Sequence, residues 1–187
     1  RIGELPQQPL GAHWMVAAAM GAEGLGGASL TPEELLRAAY GDELGKTGHC
    51  LAGHAVIEEA DVASVFDKGR GSSLLYGELL PEGIAQLTEA LFAHRAEADC
   101  TGPVLELGMG TGKVALHLFL ALGRDVHGVE LAPSRWALAD AALRRVAEAA
   151  PARFRHSAVR EGAAKLSDLT RGVDCELACG SLLDAPP

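Results

Sequence analysis

The 187-residue chain lacks any run of about 18 or more uninterrupted apolar residues, so no membrane-spanning helix is expected. The nearest candidate, 14–20, is too short and leads into a glycine-rich stretch. It lacks both the basic flank and the initiator Met of a signal peptide. Positive charge is also scarce. The formal net charge is −9 and the pI about 5.2. An acidic surface repels phosphate backbones, so direct nucleic-acid binding by this segment is not expected. Cysteine is limited to Cys50, Cys100, Cys175 and Cys179, without the spacing of a disulfide framework, which points to a reducing compartment. Cys175 and Cys179 fall in an apolar strand-like run, where cysteine acts as a small core residue. A zinc site joining them to His49 or His54 would need unusual spacing, and no metal is expected. There is no internal repeat. The chain starts at Arg1 and stops at Pro187 just after a strand-like segment, and both ends read as cut from something longer.

What is present suits a globular protein: 48% hydrophobic and 22% charged residues, with length for one domain and a core, with or without a small appendage. A short helix is expected over 12–20 and a loose linker over 21–29. Thr31-Pro32-Glu33-Glu34 has the form of a capping box, predicting a helix that runs to Tyr40 and stops at Gly41. Val56, Ala60, Ala63 and Phe66 share one face of a predicted helix over 54–66. We divide the chain there: 1–66 as an N-terminal helical region, able to form a separate cap, and 67–187 as the main unit. Within the latter, a loop over 68–73 precedes a helix over 80–96, with Ile84, Leu87 and Leu91 inward and Glu89, His94 and Arg95 outward.

The remaining chain alternates strand and helix. Strands are predicted at 104–107, 125–129 and 175–179. A helix over 112–122, apolar almost all round, is expected to be buried on more than one side. Another over 133–149 should bury Trp136, Ala139, Leu143 and Val146 and expose Arg135, Asp140, Arg144 and Glu148. Helix and loop are expected over 157–169. The order implies an α/β fold with a parallel sheet and right-handed crossovers.

The most informative segment follows the first strand. Gly108-Met109-Gly110-Thr111-Gly112 joins Val104-Leu105-Glu106-Leu107 to a helix, the arrangement that closes a backbone on a nucleotide-like ligand. Glycines there permit a sharp turn and close approach of a ligand to the main chain. In dinucleotide enzymes the pattern is G-x-G-x-x-G and the helix start meets a pyrophosphate. Here it is G-x-G-x-G followed by Lys113 and preceded by Glu106. A carboxylate in that place suits a cationic ligand and is unwelcome beside pyrophosphate. S-adenosylmethionine carries an ammonium and a sulfonium and no phosphate. Glu130, closing the second predicted strand, stands where a carboxylate can accept hydrogen bonds from both ribose hydroxyls.

One further block is more specific. Tyr76-Gly77-Glu78-Leu79, one helix upstream of Glu106-Leu107-Gly108-Met109-Gly110-Thr111-Gly112-Lys113, resembles the disruptor-of-telomeric-silencing family of histone-lysine methyltransferases. These have a Rossmann-type, non-SET fold. The resemblance covers about 72–184. It implies a partial class I methyltransferase sheet that binds S-adenosyl-L-methionine. Tyr76 to Leu79 would close over the methionine half, 104–113 would lie beneath it, and Glu130 would hold the ribose. The family's Gly-Asp-Phe-like step near the adenine reads here Gly180-Ser181-Leu182, so Ser181 replaces the acid. Lys113 stands where many members carry glutamine. A nuclear location and a histone or nucleosome substrate are also implied. A methyltransferase for a small molecule or another protein, or a non-catalytic cofactor-binding remnant, is the alternative reading.

The family's Asn-rich fourth strand and lysine channel lie beyond Pro187, and no catalytic base is assigned within this chain. The purified 187-residue protein is therefore expected to show little or no methyl transfer on nucleosomes. Robust turnover in a radiolabelled methyl-transfer assay would refute that expectation.

Overall fold

The structure, a computed structural model, describes residues 30–46, 51–57, 77–92 and 102–181. Helix α1 spans Pro32–Tyr40 and starts as its capping box dictates. The Thr31 hydroxyl accepts from Glu34 N at 3.2 Å, and the Glu34 carboxylate accepts from Thr31 N at 2.8 Å. It ends at Gly41, whose φ of 54° lies in the left-handed region. A 3₁₀ turn, η1 (Gly41–Gly45), follows, and then a single-turn helix α2 (Ala52–Ala55). That turn closes where Val56 N donates to Ala52 O, and of the helix predicted over 54–66 only 54–57 are described. The rest of that prediction, and those over 12–20, 21–29 and 68–73, lie outside the described residues.

Helix α3 (Pro81–Phe92) buries Ile84 as expected. Leu87 does not follow the prediction and stands 38% exposed. Strand β1 (Val104–Leu107), helix α4 (Lys113–Leu122), strand β2 (Val126–Glu130) and helix α5 (Pro133–Ala149) follow the predicted alternation closely. The chain then departs from it. Residues expected as helix and loop form a β-hairpin of β3 (Phe154–Arg160) and β4 (Ala163–Asp168), and the chain closes with β5 (Val173–Cys179). The five strands form one open sheet in the order β1-β2-β5-β4-β3. β1, β2 and β5 are parallel, whereas β4 runs antiparallel to β5 and β3. The sheet is therefore mixed, where an all-parallel one was expected.

The alanines and charges of this stretch suggest helix, but its pairing is fixed by the two-residue link Glu161-Gly162, with Gly162 at φ 68°. Arg153 and Asp168 lock the open end of the hairpin. The Asp168 carboxylate accepts from Arg153 Nε and Nη2 at 3.0 and 2.8 Å. It also takes the Thr170 and Arg171 N–H groups at 3.0 and 3.2 Å and so shapes the turn into β5. Burial raises the Asp168 pKa, but the Arg153 and Thr170 hydrogen bonds outweigh it and hold the carboxyl below its ordinary value.

Both helical crossovers, β1 to β2 and β2 to β3, step the same way across the sheet, so right-handed connections place α4 and α5 on one face. Burial alternates accordingly. Val126, Cys175, Leu177 and Leu166 are fully buried beneath these helices, with Leu116, Phe119, Leu143 and Val146 above them. α1 adds Leu35, Leu36 and Ala39 to the same core. On the opposite face Leu105 and Leu107 of the edge strand β1 are 61% and 59% exposed.

On α5 two side chains expected in water are buried. Arg135 is drawn inward because Gly53 O accepts from its Nε at 2.8 Å. Asp140 is covered because His156 Nε2 lies 2.7 Å from its Oδ1 and Arg144 Nη2 2.6 Å from its Oδ2. Arg144 and Glu148 face solvent as predicted.

Gly128 leaves no room for a side chain. A Cβ there would stand 2.5 Å from Met109 Sδ and 2.7 Å from Leu177 Cδ2. Gly128→Ala should therefore lower the unfolding free energy by roughly 1–3 kcal/mol, the usual penalty of overpacking. An unchanged urea midpoint would show that Met109 swings clear.

Candidate functional site

The parallel strands β1, β2 and β5 end on the same side of the sheet, and their carboxyl ends bring together most of the residues singled out from the sequence. In open α/β sheets this is where ligands bind. The glycine loop follows β1. Gly108, Gly110 and Gly112 have φ of 77°, 57° and 78°, a left-handed conformation that L side chains resist. A Cβ on Gly108 would meet nothing within 4 Å, so its outer side is open. A Cβ on Gly112 would lie 3.1 Å from both Ala139 Cβ and Leu177 Cδ1. The first glycine thus serves the turn and an open approach, and the third serves packing of helix on sheet. Met109 turns its side chain down onto Gly128, leaving only its backbone toward the loop's open side.

Glu130 is buried at the end of β2 with both oxygens engaged. Oε2 accepts from Gly110 N at 2.9 Å and Oε1 from Ala132 N at 2.8 Å. A carboxylate oxygen offers about two lone-pair positions, so each retains one that these bonds do not use. This structural role was not foreseen from the sequence. The only available signal was a carboxylate closing an apolar run. Ser181 lies near Glu130 because β5 pairs with β2: Glu130 is in register with Cys179, and Gly180 N donates to Glu130 O at 2.8 Å. Tyr76 and Leu182 lie outside the described residues.

Glu106 projects from β1 toward the start of α4. Its Oε2 is buried and has no hydrogen-bond partner. Burial pushes its pKa up from about 4.5 to about 7, against the pull of the Ala115 N–H and with a smaller push from Glu130. A half-buried acid with one unsatisfied oxygen favours a cation or hydrogen-bond donor and disfavours an anion. Leu107, the next residue, points to the exposed face.

Glu78 and Lys113 find each other. Lys113 Nζ pairs with Glu78 Oε2, both side chains less than a tenth exposed, and donates to Glu43 O at 2.6 Å. Glu78 Oε1 accepts from the Thr111 hydroxyl at 2.6 Å. A lysine at the first position of a helix opposes the helix dipole, and burial adds a desolvation penalty. Glu78 and the Glu43 carbonyl offset both. The ammonium is thereby turned toward the N-terminal helices. Gly77 and Leu79, flanking Glu78, are exposed. Tyr40, which sequence reasoning passed over, donates its hydroxyl to Thr111 O at 3.0 Å, and its ring lies 5.7 Å from Lys113 Nζ.

Cys175 is fully buried, and burial pushes its thiol pKa upward, as suits a core residue. Cys179 Sγ lies 4.0 Å from Leu131 O. Cys50, Cys100 and His49 lie outside the described residues. Among the described residues no three His, Cys, Asp or Glu side chains converge as a metal site.

The raised Glu106 pKa carries a stability signature. The folded protein keeps this proton to a higher pH than the unfolded chain. The associated stability is full below about 4.5 and is lost as pH rises through about 7. Glu106→Gln, fixed in the neutral form, should gain stability relative to the parent protein across that window, read from urea midpoints in a pH series. Parallel curves for the two proteins would contradict the assignment.

No protein-family model, curated protein or solved structure matches the chain.

Proposed function

We propose that the carboxyl ends of β1, β2 and β5 bind S-adenosyl-L-methionine and that the chain is the cofactor-binding part of a methyltransferase. Two carboxylates flanking a three-glycine loop, one with a buried unsatisfied oxygen, carry the reading. In this reading the unpartnered Glu106 oxygen meets the cationic methionine end, and Glu130 keeps lone pairs for the ribose hydroxyls. Gly108 and Gly110 admit the ligand to the main chain, and Ser181 lies beside the adenine. A nicotinamide dinucleotide fits less well, because its pyrophosphate would meet Glu106. Lys113, the nearest cation, is already held by Glu78 and Glu43 O.

The bound cofactor would supply an activated methyl group to a nucleophile placed in line with the S–CH₃ bond. The chain's part is to hold and orient it and to keep water away. Glu78, Glu106 and Glu130 act as holders, and none is assigned as a general base. The acceptor we favour is a histone lysine within the nucleus, with a class I methyltransferase architecture. That rests on the likeness of 76–79 and 106–113 to the disruptor-of-telomeric-silencing family. A small-molecule or non-histone acceptor, or cofactor binding without catalysis, is the second reading. The uncharged Ser181 in place of the family's acid and the net charge of −9 favour it.

Calorimetric titration should show S-adenosylhomocysteine binding and NAD failing to bind. Affinity should rise with pH through about 7 as Glu106 ionises against the ligand's ammonium. Gly108→Ala should weaken binding while destabilising the fold by only roughly 1–2 kcal/mol, since its Cβ meets open space in the protein. Tighter binding of NAD than of S-adenosylhomocysteine would sink the methyl-donor reading.

A further inference from the structure

The glycine loop is gripped from two sides. From below, Val129 O accepts from Gly108 N and Met109 N at 2.9 and 3.0 Å, and Glu130 accepts from Gly110 N. From the other side the grip comes from residues far away in sequence. Tyr40, the last residue of α1, donates to Thr111 O, and Glu43 O in η1 receives the Lys113 ammonium. α5 holds that segment in place: Arg145 Nη1 donates to Ala39 O at 2.8 Å and Arg135 Nε to Gly53 O at 2.8 Å. Gly112 lies between these two contacts, and a Cβ there would stand at ordinary contact distance, 3.6 Å, from the Tyr40 hydroxyl. Thr111 and Lys113 are thus held from the end of α1 and from η1.

We propose that the α1–η1 segment is a working part of the ligand site, with Tyr40 and Lys113 as positioning residues that hold the glycine loop in its ligand-receiving shape. Docking of residues 32–46 and occupancy of the loop are then coupled. This rests on the reading of the loop as a cofactor loop. The physical ground is the loop's backbone: three residues at positive φ form a conformation that local preference alone does not hold. Contacts that fix Thr111 and Lys113 raise the population of the competent shape, and ligand affinity scales with that population. By linkage, a ligand that selects the shape also tightens the docking of 32–46.

The test uses the full 187-residue chain with S-adenosylhomocysteine as the ligand. Tyr40→Phe keeps the ring and removes the bond to Thr111 O. It should weaken binding roughly threefold to tenfold, the effect of one lost hydrogen bond. Without ligand, amide exchange at Gly110 and Gly112 should quicken by a similar factor. The double variant Lys113→Met/Glu78→Gln, which removes both buried charges together, should quicken the same ligand-free exchange. Val146→Ala, a core truncation on α5 away from the loop, supplies a matched loss of thermal stability and should leave affinity unchanged. In the parent protein, ligand should slow exchange across 32–46, and Tyr40→Phe should reduce that protection.

Unchanged loop exchange in Tyr40→Phe overturns the proposal, as does an affinity loss in Val146→Ala equal to that of Tyr40→Phe. If the parent protein binds no S-adenosylhomocysteine, the methyl-donor reading fails. The ligand-free exchange comparison then decides the positioning claim by itself.

Discussion

One buried carboxylate ties together the turns that follow β1 and β2. Glu130 accepts from Gly110 N on one side and Ala132 N on the other, so a single side chain fastens the turn from β1 into α4 to the turn from β2 into α5. Hydrogen bonds to a charged group are worth about 1.5–3 kcal/mol each, roughly what is needed to offset burying that charge. The arrangement also fixes where the glycine loop stands relative to the next strand. Glu106, on the neighbouring strand, feels the consequence: a second acid close by and no partner for its Oε2. This electrostatic bias favours positive over negative charge beside Glu106.

The N-terminal helices join the same structure through polar contacts as well as packing. Leu35, Leu36 and Ala39 enter the core, but the specific placement comes from donors sent across the chain by α4 and α5. Lys113, Arg135 and Arg145 each end on a backbone oxygen of the N-terminal segment. Helical carbonyls near a C-terminus lack intrahelical partners, and a long cationic side chain from a neighbouring helix can satisfy them. Ala39 O at the end of α1 is held in this way. The glycine loop, local in sequence, is therefore held in part by α1 and η1.

The sheet shows a division between its two halves. The parallel half, β1-β2-β5, carries the site at its carboxyl ends, whereas the antiparallel hairpin β3-β4 extends β5 away from it. Helices cover one face, and Leu105 and Leu107 remain exposed on the other. Parallel sheets in α/β proteins are generally covered on both faces, which makes this the least satisfied apolar surface of the described structure. The sharp hairpin link and the Asp168 turn let the chain return into β5 in register with β2.

Local chemistry alone determined a good part of this protein. The Thr31 capping box, the stop at Gly41, the strand at 104–107 with its glycine loop, and the helix over 133–149 were all legible. Each depends on residues within one or two turns of one another. Tertiary structure decided the rest, because the deciding partners are remote. Residues 157–169 became strands through pairing with β5 and with each other, against a composition that favours helix. Arg135 and Asp140 turned inward because acceptors and donors on other elements awaited them. Lys113 could be placed beside the glycine loop from the sequence, but its direction was set by Glu78 and Glu43, which only the folded chain brings within reach.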